Sequence, residues 1–499
     1  MNKKTLPIIT ASTLALLFSA NGSATEQNHS LPSGQKWLDH VEQGLMPYWM
    51  MDSAQGKPMG NFPTFRCDDG TVLDVADVCP ELNAGWIAPN FGREYTRMKS
   101  RQTYAYSVIY HLTGSKQALE LAQKGAYYLI DNLQDKEHGG FISFTERGKP
   151  GLEWQQRTSQ DQAYALVGLA MYYYLTRDAK VERALVDQQA FIFDKYRLAD
   201  GEGLAWILKD GDGQSAKQRE LVAQLDQINA YLLLVAPLLP EPTKSKWLTD
   251  LNWLTEQMLT HYHSDEETRF YGSVHHKAMM MQDAKHNDFG HTIKAYWMTL
   301  LTSQVVDNSQ WQKFAIDGIE TTLSRASYQV EFSQVADYFG DDLKKEWQGE
   351  KVSSWMSRPY NQWISSWEWA ELDQAAITLS LIDGSQTDKL RNTLPTYMDV
   401  WVDHQYGGVG LGPKSTKAFH WGNGYHQFEH ALIGYLFASQ YEGKPATLYY
   451  ALDKPYSEVL QPYYFKARLM DIEPVQLKKG VSGQKVQFTN ISPLKDNQR

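Results

Sequence analysis

The sequence predicts an all-α protein, an (α/α)6 toroid (barrel) of six helical hairpins with a small C-terminal appendage. Apolar residues recur at three- and four-residue steps in twelve successive segments. Asp/Gly-rich connections return at a regular step, the mark of a repeated supersecondary unit. Six antiparallel helix pairs bury all their apolar stripes only if they close on themselves.

The twelve segments lie near 37–50, 92–113, 116–132, 158–176, 181–194, 219–236, 244–260, 288–306, 309–325, 361–383, 386–402 and 423–440. In the fourth, Tyr164, Leu166, Leu169, Ala170 and Tyr173 share one broad face; in the eighth, Ile293, Trp297, Leu300 and Leu301 do. The connections start at Asp135, Asp200, Asp265 and Asp403. The first three are 65 residues apart and the last lies 138 further on, about two steps. A closed ring would gather these loops at one mouth. Residues 51–91 are irregular and rich in Gly, Pro and Asp, an ordered loop expected near that mouth. Residues 441–499 change character: a tyrosine-rich stretch precedes a Lys-rich tail in which Val475 and Leu477, then Val486 and Phe488, alternate as in strands. The polar last ten or so residues are expected to be mobile.

The first 24 residues read as a secretory signal, with Lys3 and Lys4 before an apolar run from Leu6 to Phe18 and small residues Gly22-Ser23-Ala24 at the end. That run is too short to span a bilayer, which takes about 20 residues. Residues 25–440 would form the toroid and 441–499 the extension. Losing two lysines and no acid takes the net charge from −10 to −12. No later apolar run is expected to reach membrane length, so the mature chain should be free of the membrane and periplasmic. Cys67 and Cys79, the two cysteines of the chain, are expected to form a disulfide in that oxidising compartment. Closing a loop of that size contributes about 3 kcal/mol in the chain-entropy account. An acidic chain without a Lys/Arg block argues against a nucleic-acid partner. The 16 Trp, 29 Tyr and 18 Phe suit either a core of large side chains or faces that stack on sugar rings.

Standard cofactor and metal motifs are absent from the sequence: no G-x-G-x-x-G, no G-x-x-x-x-G-K-[ST], no H-E-x-x-H and no G-x-S-x-G. Two histidines stand at the beginnings of helices, in Phe289-Gly290-His291 and Tyr425-His426. Helix starts in a toroid face its mouth, and imidazole titrates near neutrality, so two such groups can exchange protons with a bound ligand. The structural alternative is a capping or core role. Arg101 sits on an apolar stripe beside Tyr104, which is costly unless something anionic meets it; the alternative is a surface ion pair. Glu371 lies four residues past Trp367 on one helix face, where a carboxylate flanked by tryptophans can bond a sugar hydroxyl or orient a histidine.

At these residues the sequence resembles the N-acylglucosamine 2-epimerase superfamily, which includes cellobiose 2-epimerase and mannose isomerase. The likeness runs over about 90–440 and rests on six short motifs in order: Ser100-Arg101-Gln102, Asp135 to Gly140, Asp161-Gln162-Ala163-Tyr164, Phe289-Gly290-His291, Trp369-Ala370-Glu371 and Tyr425-His426. The resemblance implies a sugar 2-epimerase or aldose–ketose isomerase; family members are mostly cytoplasmic, and it is the leader that makes this one an exported enzyme. His291 and His426 would pass a proton through an enediolate that Arg101 stabilises, with Glu371 fixing sugar hydroxyls or a tautomer. Tyr104, Gln162, Trp367, Trp369, Lys294, Asp226 and Tyr425 would bind a mono- or oligosaccharide. This chemistry requires no metal, nicotinamide or other cofactor. The chain departs from the family at Lys294, where members carry a glutamate, and in the stretch Gln224-Leu225-Asp226-Gln227-Ile228-Asn229-Ala230-Tyr231, where they carry an H-x-H pair. A lysine in the mouth would favour an acidic sugar. Competing readings are a uronate lyase, an inverting glycoside hydrolase with Asp288, Glu368 or Glu371 as its carboxyls, and a non-catalytic sugar-binding toroid.

Overall fold

The computed structural model describes residues 30–495 except 212, 281–285, 327–364, 413–414, 423, 453–459 and 479–480. The expected signal segment, the end of the tail and the expected start of the tenth helix at 361 lie outside the described residues. All twelve expected helices are present: α1 (34–49), α2 (Thr96–Thr113), α3 (116–133), α4 (159–176), α5 (Ala179–Lys195), α6 (221–238), α7 (Thr243–Tyr262), α8 (Phe289–Val306), α9 (Ser309–Arg325), α10 (Ser366–Asp383), α11 (387–401) and α12 (Tyr425–Tyr441).

The even-numbered helices form a closed inner ring. Each packs on the next, α2 on α4 through to α12, and α12 packs back on α2. The odd-numbered helices lie outside; α3 to α11 pack on inner helices adjacent to them in sequence, and α1 packs on α12. This arrangement explains the composition of the inner helices. In α2 every residue but Arg97 and Thr113 is buried, and α8 buries Ile293, Trp297, Leu300 and Leu301 at 0–2 % exposure. Fully burying one such side chain contributes about 1.5–3 kcal/mol. The stretch Leu221–Leu238 is long and apolar enough to span a membrane, contrary to expectation, but 89 % of it is buried inside the ring. Its hydrophobicity is that of a core helix enclosed on all sides.

The two ends of the ring are built differently. At one end an inner helix turns straight into the next outer helix. Gly114, Arg177, Asp307 and Gly384 each adopt a left-handed conformation there, and each N–H bonds the carbonyl four residues back. At the other end the Asp/Gly loops return to the inner helices. Asp135 N–H bonds Gly140 O and Gly139 N–H bonds Asp135 O; Asp403 with Gly408 and Gly407 repeats that pattern. The isolated bridges Gln134–Phe141, Arg197–Leu204 and Val402–Val409 close equivalent loops.

The Cys67–Cys79 disulfide is formed, and its loop packs Phe65, Leu82 and Ile87 against Ala418. The extension is strand-like as expected: β1 (Ala446–Tyr450), β2 (Lys466–Lys478) and β3 (Val481–Ser492) make an antiparallel sheet in the order β1-β3-β2. It closes the short-turn end of the ring. Ala451 N–H bonds Leu175 O and His111 Nδ1 meets Tyr449 O at 2.9 Å.

Candidate active site

The long-loop end holds the N-termini of the inner helices. Asp288 caps α8: its Oδ1 accepts the His291 backbone N–H at 2.8 Å. Both of its oxygens lie 2.9 Å from His291 Nδ1. One carboxylate thus starts the helix and sets the imidazole's orientation, with the Nδ1 proton assigned to face it. Gly290 is required here. A Cβ would stand 2.6 Å from the Trp367 ring, which packs edge-on to His291 at 4.9 Å between centroids. The same indole lies 5.7 Å from the His426 ring. Trp367 therefore stands between the two histidines. Its own helix begins with a capping box in which Glu368 accepts Ser365 N–H at 2.8 Å.

The charges sit deeper. Lys294, one turn past His291, is buried with its ammonium 3.4 Å from Glu371 Oε1 and 3.7 Å from Asp226 Oδ1. Asp226 also accepts from the Tyr164 hydroxyl at 2.9 Å and from Gln160 at 2.7 Å. Burial alone would lower the Lys294 pKa, but Tyr164, Glu371 and Asp226 outweigh it and hold the ammonium above its ordinary range. The charge that could draw an acidic sugar is met inside the protein by two carboxylates. Burial raises Glu371 against the pull of Lys294. His426 Nδ1 lies 3.1 Å from Glu371 Oε1 without hydrogen-bond alignment. Burial, then the Lys294 and Arg101 cations, push His426 well below its usual pKa, so its imidazole is neutral near pH 7. Arg101 lies over the Tyr164 ring at 4.0 Å and donates to Trp421 O. Its Nε has no partner among the described residues.

Tyr425 and Tyr104 form the floor, with ring centroids 4.6 Å apart. Beneath them lies Glu429, which the motifs did not single out. It is fully buried and accepts from Tyr463 at 2.6 Å, Gln374 at 3.1 Å and Tyr425 at 3.3 Å. Burial and the nearby Glu371 push its pKa up to about 7. Its spacing was a usable signal: Glu429 is one turn past both Tyr425 and His426. Tyr463 comes from the extension and also meets the Tyr104 hydroxyl at 3.0 Å. The extension thus supplies part of the floor of the site.

The structure brings His291, His426, Arg101, Glu371, Lys294, Asp226, Trp367, Tyr425 and, beneath them, Tyr104 into one cup. Two expected substrate contacts are elsewhere. Gln162 is a structural side chain: its amide accepts Phe141 N–H at 2.7 Å and donates to Phe141 O at 2.9 Å. Gln224 does the same to Leu204 one repeat later, at 2.8 and 2.9 Å. Trp369 points outward, bonding Thr393 O at 3.3 Å and packing on Trp401. Among the described residues, ligand atoms of Glu371, His426 and Glu429 fall within 4.8 Å of one another, close enough to share a metal ion. The Lys294 ammonium already supplies positive charge to Glu371 there.

A closed ring of six helical hairpins, with two imidazoles and an arginine converging on one cup, defines a toroidal enzyme architecture. The chain belongs to the N-acylglucosamine 2-epimerase family, whose match covers residues 83–361, and its relatives act on carbohydrate as epimerases and isomerases. A cellobiose 2-epimerase of Bacteroides fragilis is 26 % identical over 160 residues, 32 % of this chain and 34 % of that protein. The alignment thus spans about a third of that curated relative. The cellobiose 2-epimerase structure from Spirochaeta thermophila superposes with TM-score 0.60 at 16 % identity, over 81 % of this chain and 96 % of that one. A D-mannose isomerase gives 0.61 at 12 %, over 81 % and 98 %. A family 76 glycoside hydrolase from Bacteroides thetaiotaomicron gives 0.51 at 11 %, over 81 % and 77 %. These structures share the fold.

Proposed function

We propose that this protein is an exported sugar 2-epimerase or aldose–ketose isomerase that works by histidine-mediated proton transfer. The supporting observation is the pair of imidazoles on either side of Trp367, each backed by its own carboxylate. His426, neutral near pH 7, takes the proton from the carbon next to the open-chain carbonyl. The electron pair moves into an enediolate, whose developing oxyanion meets the Arg101 guanidinium. His291, its Nδ1 held by Asp288, returns a proton. Delivery to the opposite face of the same carbon inverts it; delivery to the carbonyl carbon, with the C2 hydroxyl proton passing to the former carbonyl oxygen, gives the ketose. Each cycle ends with one imidazole protonated and the other neutral, and the reverse reaction uses them in exchanged roles.

The apolar leader with its two lysines and the Cys67–Cys79 disulfide support a periplasmic location. N-terminal sequencing of fractionated protein should find the chain beginning after residue 24; a cytoplasmic chain that still carries the leader defeats the export reading.

The direct test is incubation with neutral and acidic sugars in deuterated water. Isotope uptake at a single carbon is expected. New reducing ends without exchange would instead mark a hydrolase, and absorbance near 235 nm from a uronate polymer a lyase. The hydrolase reading needs carboxyls about 6.5–9.5 Å apart with room for water. Here Glu368 is spent on a capping box, while Glu371 and Glu429 are fully buried within 4.8 Å.

A further inference from the structure

The floor of the cup is held from below by a residue of the extension. Tyr463 is 1 % exposed and lies between β1 and β2, outside the strands. Its φ of 59° is left-handed, a conformation costly for so large a side chain and kept only where the surroundings hold the residue in place. Here an inner helix and the sheet do so. Tyr463 N–H donates to the Tyr174 hydroxyl of α4 at 2.9 Å. That hydroxyl donates to Gln461 O at 2.6 Å, and Tyr450 of β1 donates to the same carbonyl at 2.9 Å. The next ring, Tyr464, lies against Tyr463 with centroids 3.9 Å apart and donates to Asn229 O at 3.2 Å.

This backbone places a hydroxyl under Glu429. Tyr463 donates to Glu429 Oε1 at 2.6 Å, the shortest of that carboxyl's bonds. Its one proton being on that bond, its oxygen accepts from Tyr104 at 3.0 Å. Glu429 in turn is joined to both helices that carry the Glu371–His426 pair. Gln374, one turn past Glu371 on α10, donates to Oε2 at 3.1 Å. Tyr425, next to His426 on α12, donates to Oε1 at 3.3 Å. Ligand atoms of Glu371, His426 and Glu429 fall within 4.8 Å of one another. Close packing leaves such a group no slack, and in a buried network each hydrogen bond is felt by its neighbours.

We propose that Tyr463 is a positioning residue for the reaction: by holding Glu429 it fixes the Glu371–His426 pair, which makes the C-terminal extension part of the catalytic unit. Tyr463 does not reach the cup itself, because the Tyr104 and Tyr425 rings form the floor above Glu429. Removing its hydroxyl should therefore slow the chemical step and leave sugar affinity alone. What the pair does rests on the epimerase or isomerase reading, but the link from Tyr463 to His426 can be read without turnover.

The test compares the full-length protein with its Tyr463→Phe and Tyr450→Phe variants. Each variant deletes one hydroxyl and keeps the ring. Tyr450→Phe loosens the extension, while Tyr174 still holds Gln461 and Tyr463. Histidine ring resonances are recorded on protein carrying isotope-labelled histidine, and the His426 signal is the one missing from His426→Ala. Tyr463→Phe should displace that signal and Tyr450→Phe leave it in place. With glucose, mannose and cellobiose in deuterated water, Tyr463→Phe should lower kcat for C2 exchange about tenfold, the contribution of one hydrogen bond, with KM within twofold. Tyr450→Phe should keep both within twofold, although its melting temperature falls as far as that of Tyr463→Phe. A His426 signal unmoved in Tyr463→Phe, a kcat unchanged from an active wild type, or equal losses of kcat in the two variants overturns the proposal. Exchange absent from every sugar in the wild type, with His426 displaced by Tyr463→Phe alone, defeats the proton-transfer reading and leaves Tyr463 as the residue that positions the pair.

Discussion

The same six inner helices end in two unlike surfaces. At their C-termini the chain reverses through left-handed turns at Gly114, Arg177, Asp307 and Gly384, and a tyrosine-rich sheet covers them. At their N-termini long Asp/Gly loops frame imidazoles, carboxylates and buried cations. Short turns leave no room for variation, so that end serves closure of the ring. The loop end has length and helix-start polarity to spare, and chemistry collects there. The comparison predicts that single substitutions separate cleanly: cup residues cost turnover or charge balance, ring residues cost stability alone.

The largest expected effect falls on the two imidazoles. His426→Ala and His291→Ala should each slow carbon-bound deuterium exchange by about 10²–10⁴-fold, the contribution of a positioned acid or base. His430, one turn beyond His426, supplies the internal control. It is fully buried against Asp373 at 3.0 Å and is a core histidine. The division between the ends breaks if the two cup variants exchange at wild-type rate. It also breaks if they lose their thermal transition while His430→Ala keeps its own.

Lys294 tests whether charge in the cup is held for balance. Lys294→Met leaves Asp226 and Glu371 without their cation, and removing one partner of a buried pair costs about 3–5 kcal/mol. Denaturant unfolding should register that loss. An unchanged midpoint with unchanged slope would mean the carboxylates are neutral in the folded protein, and the description of the cup would need rewriting.

A smaller and purely structural effect is expected at Gln162. Gln162→Ala orphans the buried N–H and C=O of Phe141, which costs about 1–3 kcal/mol, while exchange per folded molecule stays at the wild-type value. Collapse of exchange in a folded Gln162→Ala would return this residue to the substrate-binding set.

Gln162 also shows where sequence reasoning runs short. The twelve helices are legible because outer helices such as α5 and α9 keep one wet face, so their stripes have the helical period. Inner helices are enclosed on all sides, and in α10 nearly every residue from Ser366 to Leu379 is buried. No periodicity then tells which side chain faces the cup and which faces an outer helix. Trp367 and Trp369, two residues apart, look alike in sequence and point to opposite surroundings. His291 was legible because Gly290 and the Asp288 cap mark a helix start. Glu429 and Tyr463 meet across 34 residues and a change of architecture, which no local pattern encodes.

That last contact gives a further expected effect, a dependence of stability on pH at the floor of the cup. Burial and Glu371 raise Glu429 from 4.5 to about 7. A carboxyl raised on folding binds its proton more tightly in the native state than in the unfolded chain. Between those two pH values the native state therefore holds the extra proton, and stability falls as pH rises. Below 4.5 both states are protonated and above about 7 both are ionised, so the contribution levels off at each end. Glu429→Gln keeps an acceptor for Tyr463 and Tyr425 and cannot ionise. The melting temperature of the wild type should fall relative to Glu429→Gln as pH rises from 4.5 to about 7, then run parallel to it. Scanning calorimetry of both proteins across that window decides the matter. Parallel curves throughout would show that Glu429 is ionised at all these values, held so by the hydroxyls of Tyr463 and Tyr425. The floor would then carry a fixed negative charge under His426, and the acid limb of exchange, set low by burial and then by Lys294 and Arg101, should move upward to match.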